Sequence, residues 1–147
     1  LLAGLPRPVE RLAQAELALL AKKELDYTRA ASLWDQLREA PKKARPSQSV
    51  HLAEEARKSV EAAIAAAEQL AIYYEHRVKQ PQRAAELVRG AIAQLRDAQR
   101  AGGIEPALAV KMDARLAHRL ARLERHSSHE KSEREKSRRV PHPSRLL

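Results

Sequence analysis

No phenylalanine occurs anywhere in this chain, and alanine and leucine supply most of its apolar surface. The aromatic residues are one tryptophan and three tyrosines. A core without large aromatic blocks is filled by bringing backbones close together, and small alanine faces let helices approach closely. Alanine is the strongest helix former and leucine follows closely. With only four glycines in 147 residues, the chain reads as all-α, one domain with a modest core.

Periodicity divides the chain. Pro6-Arg7-Pro8 is a rigid entry, and Pro8 suits the first turn of a helix, where its missing N–H costs nothing. The first helix is expected to run to about Lys22, with Leu12, Ala15 and Leu19 on its stripe and Ala13, Leu17 and Leu20 widening it. Asp26 is expected to cap a second helix, Tyr27 to about Ala40, burying Ala30, Leu33, Trp34 and Leu37. The turn between them is so short that they should form an antiparallel hairpin, 8–40.

Residues 41–49, "PKKARPSQS", read as a loop. A second hairpin is expected over 50–100. Its first helix is long and reaches Val78, with Ala67, Leu70, Ala71 and Tyr74 along one side. Its second helix starts at Pro81, and Gly90 within it predicts a close helix crossing, since glycine there otherwise only weakens the helix. Gly102-Gly103 ends it. A closing helix, 106–125, carries Leu108, Met112, Leu116, Leu120 and Leu123 as its seam. From His126 the apolar pattern stops, and 126–147 read as a disordered basic tail.

The two hairpins share a pattern. Ala18 and Ala21 precede Ala30, Trp34 and Leu37 in one; Leu70, Ala71 and Tyr74 precede Ala84, Val88 and Ala91 in the other. This resembles the tetratricopeptide repeat, in which a small residue on one helix faces an alanine on the next. The second unit has one extra residue in its turn, and the insertion between the units breaks the period of about 34 residues.

A sharper resemblance lies in "LAIYYEHRVKQPQRAAELV" and the later "RLAHRLARLER". Together they resemble the C-terminal helical region of a bacterial family of predicted exonucleases with a ribonuclease H-like domain. The matching residues include Tyr73, Tyr74, Glu75, His76, Arg77 and Lys79, Ala84 or Ala85, and His118 to Leu120 with Arg122 to Arg125. The likeness spans about residues 10–125, and Gln80-Pro81 departs from the Asp-aromatic pair usual there. It implies a cytoplasmic, metal-dependent nuclease whose catalytic domain lies N-terminal to this region and holds metal on clustered carboxylates. The chain opens on Leu1-Leu2 rather than Met, which fits a piece of a longer protein, so the lack of a leader carries no meaning.

The chain itself offers no such carboxylate cluster. Its four aspartates, Asp26, Asp35, Asp97 and Asp113, are scattered, whereas two-metal chemistry needs several convergent carboxylates. Zero cysteines exclude thiolate sites. His51/Glu55 and His126/His129 are isolated pairs, short of the three or four ligands zinc takes. There is no glycine-rich phosphate loop and no arguable Ser-His-Asp set. Glu75-His76-Arg77 looks catalytic, but consecutive helical side chains point about 100° apart and cannot converge. The expected reading is a packing motif: Tyr74 packs in the hairpin, Glu75 lies in a solvated pair with Lys79, and Glu75 and His76 fix the turn by hydrogen bonds.

The formal net charge of +9, from 28 basic and 19 acidic residues, permits an anionic partner. Arg115, Arg119 and Arg122 share one face of the closing helix, and Lys42, Lys43 and Arg45 crowd the loop. These are the candidate phosphate or partner contacts; the alternative for the arginine stripe is a solvated face. The longest apolar run, Ala62 to Tyr74, is too short to span a membrane and is broken by Glu68 and Gln69. The reading is a non-catalytic helical module without cofactor or metal. Its expected partners are its own nuclease domain, a nucleic acid, or a protein or peptide.

Overall fold

The computed structural model describes residues 8–39 and 50–139. They form five α-helices: α1 (Pro8–Lys23), α2 (Tyr27–Arg38), α3 (Val50–Tyr73), α4 (Pro81–Arg100) and α5 (Pro106–Arg139). A π turn, Tyr74–Val78, prolongs α3. No strand occurs among the described residues, and no helix among them is long and apolar enough to cross a membrane. The loop expected at 41–49, with Lys42, Lys43 and Arg45, lies outside the described residues.

Each helix packs on the next in chain order, and α1 also packs on α3. Two apolar clusters result. One joins α1, α2 and α3 through Ala18, Ala21, Ala30, Trp34, Leu37, Ala66 and Leu70. The other joins α3, α4 and α5 through Ile64, Ala67, Ala71, Ala84, Val88, Leu95, Leu116 and Leu123. Helix α3 therefore contributes to both, and Tyr74 and Leu87 pack against both. Of the seams expected on α2 and α5, Ala30, Trp34, Leu37, Met112, Leu116 and Leu123 are buried and Leu33, Leu108 and Leu120 are half-buried against the clusters; Ala84, Val88 and Ala91 of the second hairpin are buried on α4. Trp34 is buried in the first cluster and Ala84 in the second.

The helix ends explain the tight connections. Leu25 (φ 63°) sits in the left-handed region after α1, where its N–H donates to Lys22 O and the Asp26 N–H to Ala21 O. These are the paired bonds of a Schellman stop. The Asp26 side chain then accepts from the Arg29 N–H at 3.2 Å and starts α2, as expected. Helix α4 stops in the same way: Gly102 (φ 68°) is left-handed and the Gly103 N–H donates to Ala98 O at 2.8 Å.

Three expectations change. On α1 the inward face is Arg11, Ala18 and Ala21, while Leu17, Leu19 and Leu20 stand about half exposed. That helix is apolar nearly all round, so its periodicity does not mark which side faces inward. Gly90 is exposed, and a Cβ there would meet nothing within 4 Å, so no helix crosses closely at it. Helix α5 continues past the expected end at Arg125 to Arg139. The extension has no apolar seam, which is why it reads as a tail. It is rich in helix formers and carries i,i+4 pairs such as His129 Nδ1–Glu133 Oε1 at 3.6 Å.

Arg11 is nearly fully buried, and among the described residues its hydrogen-bond acceptors are backbone carbonyls rather than carboxylates. Its guanidinium donates to the carbonyl oxygens of Leu37 and of Glu39, the latter at 2.9 Å. Gln94 Nε2 donates to Arg38 O at 2.8 Å. The open carbonyls at the end of α2 are thus capped from α1 and α4, a site that favours a cation by its helix dipole. Burial pushes the Arg11 guanidinium below its ordinary pKa, because desolvation penalises the charged form.

Three stability measurements check this description. Replacing Arg11 by Met, which keeps the stem but removes the donors, should lower the unfolding free energy by about 1–3 kcal/mol in urea titrations. Gly90→Ala should raise it by about 0.5–1 kcal/mol, because the site is helical and open. Gly102→Ala should lower it by about 1 kcal/mol or more, because the residue must hold a positive φ.

Candidate functional site: a charge ladder between α3 and α5

Five charged side chains meet along one edge of the second cluster. Glu68 and Glu75 lie seven residues apart, which brings them to the same face of the helix. Arg115, Arg119 and Arg122 lie at i, i+4 and i+7 on α5. Arg115 forks onto Glu68, with Nε to Oε1 at 2.8 Å and Nη2 to Oε2 at 2.8 Å. Arg122 Nη2 donates to both oxygens of Glu75, at 2.8 and 3.0 Å. Arg119 lies between: its Nη1 donates to Glu75 Oε2 at 3.1 Å, and its Nε is 4.0 Å from Glu68 Oε1. Contacts that ascend together on both helices mean that α3 and α5 run parallel, with α4 returning between them.

Burial separates this ladder from an ordinary surface pair. The Glu68 and Glu75 side chains are only 7% and 11% exposed. A carboxylate so buried is costly unless its oxygens are filled by charged donors, as they are here. The arginines grade outward: Arg119 is 17% exposed, Arg122 38% and Arg115 54%. By contrast the Arg89–Glu124 pair, at 3.1 Å, is half exposed on both sides.

The Tyr-Tyr-Glu-His-Arg run is dispersed in several directions, as helix geometry requires. Tyr73 and Tyr74 meet edge to face, with centroids 5.5 Å apart. The Arg83 guanidinium lies 4.8 Å from the Tyr74 ring centroid. Arg77 stacks on Tyr27 of α2 at 3.8 Å. His76 is exposed, its Nε2 3.6 Å from Glu75 Oε2. Glu75 is not in a solvated pair with Lys79; it turns inward to Arg119 and Arg122. Lys79 instead holds the left-handed position (φ 61°) that ends the π turn, where Gln80 N–H donates to Tyr74 O at 2.8 Å.

The arginine stripe is therefore neither a solvated face nor an open run of cations. All three guanidiniums engage carboxylates, and three positive charges face two negative ones. Sequence reasoning missed Glu68 and Arg11. Glu68 left a trace, as a charge interrupting the longest apolar run; Arg11 left none. Among the described residues no group of three or more His, Asp or Glu is gathered as a metal ion would require. His126 and His129 are exposed, and the His51 side chain lies outside the described residues.

No protein-family model matches the chain, and neither a curated protein nor a solved structure matches it.

Chemical denaturation distinguishes the ladder from surface pairs. Glu68→Gln and Glu75→Gln should each cost about 1–3 kcal/mol, since each leaves guanidinium donors without their acceptors at a buried edge. Glu124→Gln should change stability by less than about 0.5 kcal/mol.

Proposed function

We propose that the chain is a non-catalytic helical accessory module, the C-terminal part of a ribonuclease H-like exonuclease of the kind its hairpin resembles. Its role is to pack on the nuclease domain and to assist in holding a nucleic acid or a protein. One observation carries this reading. The two separate stretches that bear the resemblance, "YYEHR" and "HRLARLER", meet in space, because Glu75 holds Arg119 and Arg122. A motif whose residues join its own helices fits a structural module better than a reaction centre.

The reading frame upstream of Leu1 tests the proposal most directly. An α/β domain with clustered carboxylates is expected there, and an initiator Met immediately before Leu1 would overturn the family reading. Metal-dependent nuclease activity from this chain alone would overturn the non-catalytic assignment.

A second reading, a tetratricopeptide-like protein-interaction module, draws on the packing order. Helix α1 lies against both α2 and α3, as successive stacked hairpins do. Peptide binding that is insensitive to salt would favour it. Oligonucleotide binding that falls steeply with salt would favour the accessory role at a nucleic acid.

A further inference from the structure

The ladder takes up the arginines on the α3 side of α5, and a second row runs beside it on the same helix. Lys111, His118, Arg125, His129 and Lys136 follow at steps of seven or four residues, which sets them on one face, and all five are exposed. Arg115 and Arg122, 54% and 38% exposed, border the row on the ladder side. The acids of α5 are sorted away from it. Asp113, Glu124, Glu130 and Glu135 are turned about 100° or more from the row, and Glu124 is paired with Arg89 of α4. Glu133 alone borders the row, its Oε1 3.6 Å from His129 Nδ1. On the neighbouring face of α3, Glu61 and Glu54 lie one and two steps of seven before Glu68, so they fall toward the start of α5, before the row begins.

The other side of the row is lined by exposed Ala114, Ala117 and Ala121, and Val110 is the one large apolar side chain exposed on α5. A protein partner needs apolar or aromatic anchors at the centre of its contact, which this face lacks. A phosphate backbone needs cations and room to approach them, which it has. We propose that this face of α5 binds the phosphate backbone of a nucleic-acid duplex without reading its sequence. Lys111, Arg125 and Lys136, with the ladder's surplus of one positive charge, stand against Glu133 alone. The row spans about 38 Å at 1.5 Å per residue, the length of about eleven base pairs. Trp34 is buried and the three tyrosines are half-buried, so no aromatic platform favours an unpaired strand. The small alanines let a backbone come close, and the formal charge of +9 draws it in. The inference rests on the nucleic-acid part of the role proposed above and is independent of the nuclease family.

Fluorescence anisotropy on the full chain tests it. The probes are a labelled DNA duplex of about 20 base pairs, longer than the row, one of its strands alone, and a labelled polyglutamate. The duplex should bind most tightly, and its affinity should fall roughly a hundredfold between about 50 and 200 mM salt, as about four phosphate contacts require. Lys111→Gln/Arg125→Gln/Lys136→Gln, which leaves the ladder intact, should weaken duplex binding about tenfold or more at low salt and lower the salt slope by about three. Lys23→Gln/Arg29→Gln/Arg96→Gln removes the same charge from α1, α2 and α4 and should weaken binding less than about threefold. If circular dichroism shows that the α5 variant fails to fold, Arg125→Gln alone replaces it and should lower the slope by about one. Equal weakening by the two triple variants overturns the row as the site while leaving a nucleic-acid role standing. Tighter binding of the single strand overturns the duplex assignment. Polyglutamate bound as tightly as the duplex assigns the face to an acidic protein and overturns the proposal. No binding of either nucleic acid at low salt overturns both the row and the nucleic-acid role.

Discussion

Helix α3 must be apolar on two sides at once, and the rest of the molecule is arranged around that demand. Ala66 and Leu70 face α1 and α2, while Ile64, Ala67 and Ala71 face α4 and α5. Together these positions cover about half of the helix circumference and leave a limited arc for charge. Glu68 and Glu75 fall at its border. Their side chains are nearly buried and cannot reach water freely, so three arginines from α5 meet them across the edge of the core. The ladder is thus a consequence of double-sided packing, and it also fixes the parallel alignment of α3 and α5.

Alanine makes this possible. Both clusters are rich in alanine, with Ala18, Ala21, Ala30 and Ala66 in the first and Ala67, Ala71, Ala84 and Ala91 in the second. Small side chains allow short interaxial distances but bury little area each. The remaining stability has to come from ends and edges. The α2 carbonyls are capped by Arg11 and Gln94, left-handed residues terminate α1 and α4, and cation–aromatic contacts join Arg77 to Tyr27 and Arg83 to Tyr74.

The Tyr74–Val78 π turn decides where the Tyr-Tyr-Glu-His-Arg run is directed. One additional residue per turn re-aims the side chains that follow it. Tyr74 remains at the junction of the two clusters, Glu75 reaches α5, and Arg77 swings back to α2. Glu75 and Arg77, which look like parts of a reaction centre on paper, thus tie the end of α3 to two different helices, α5 and α2.

The local elements were determined by the sequence alone: all-α character, the Asp26 cap, the Pro81 start of α4, the Gly102 stop, and the buried seams of α2, α4 and α5. Each depends on interactions within a few residues, where periodicity and capping chemistry suffice. Tertiary structure decided which side of α1 faces inward, because a helix apolar nearly all round offers its neighbours more than one face. It also decided the fate of the charges. Whether Arg115, Arg119 and Arg122 face solvent or Glu68 and Glu75 depends on the position of a helix some 45 residues away in the chain. No local pattern encodes that distance; it is set only when α4 folds back and places α5 beside α3.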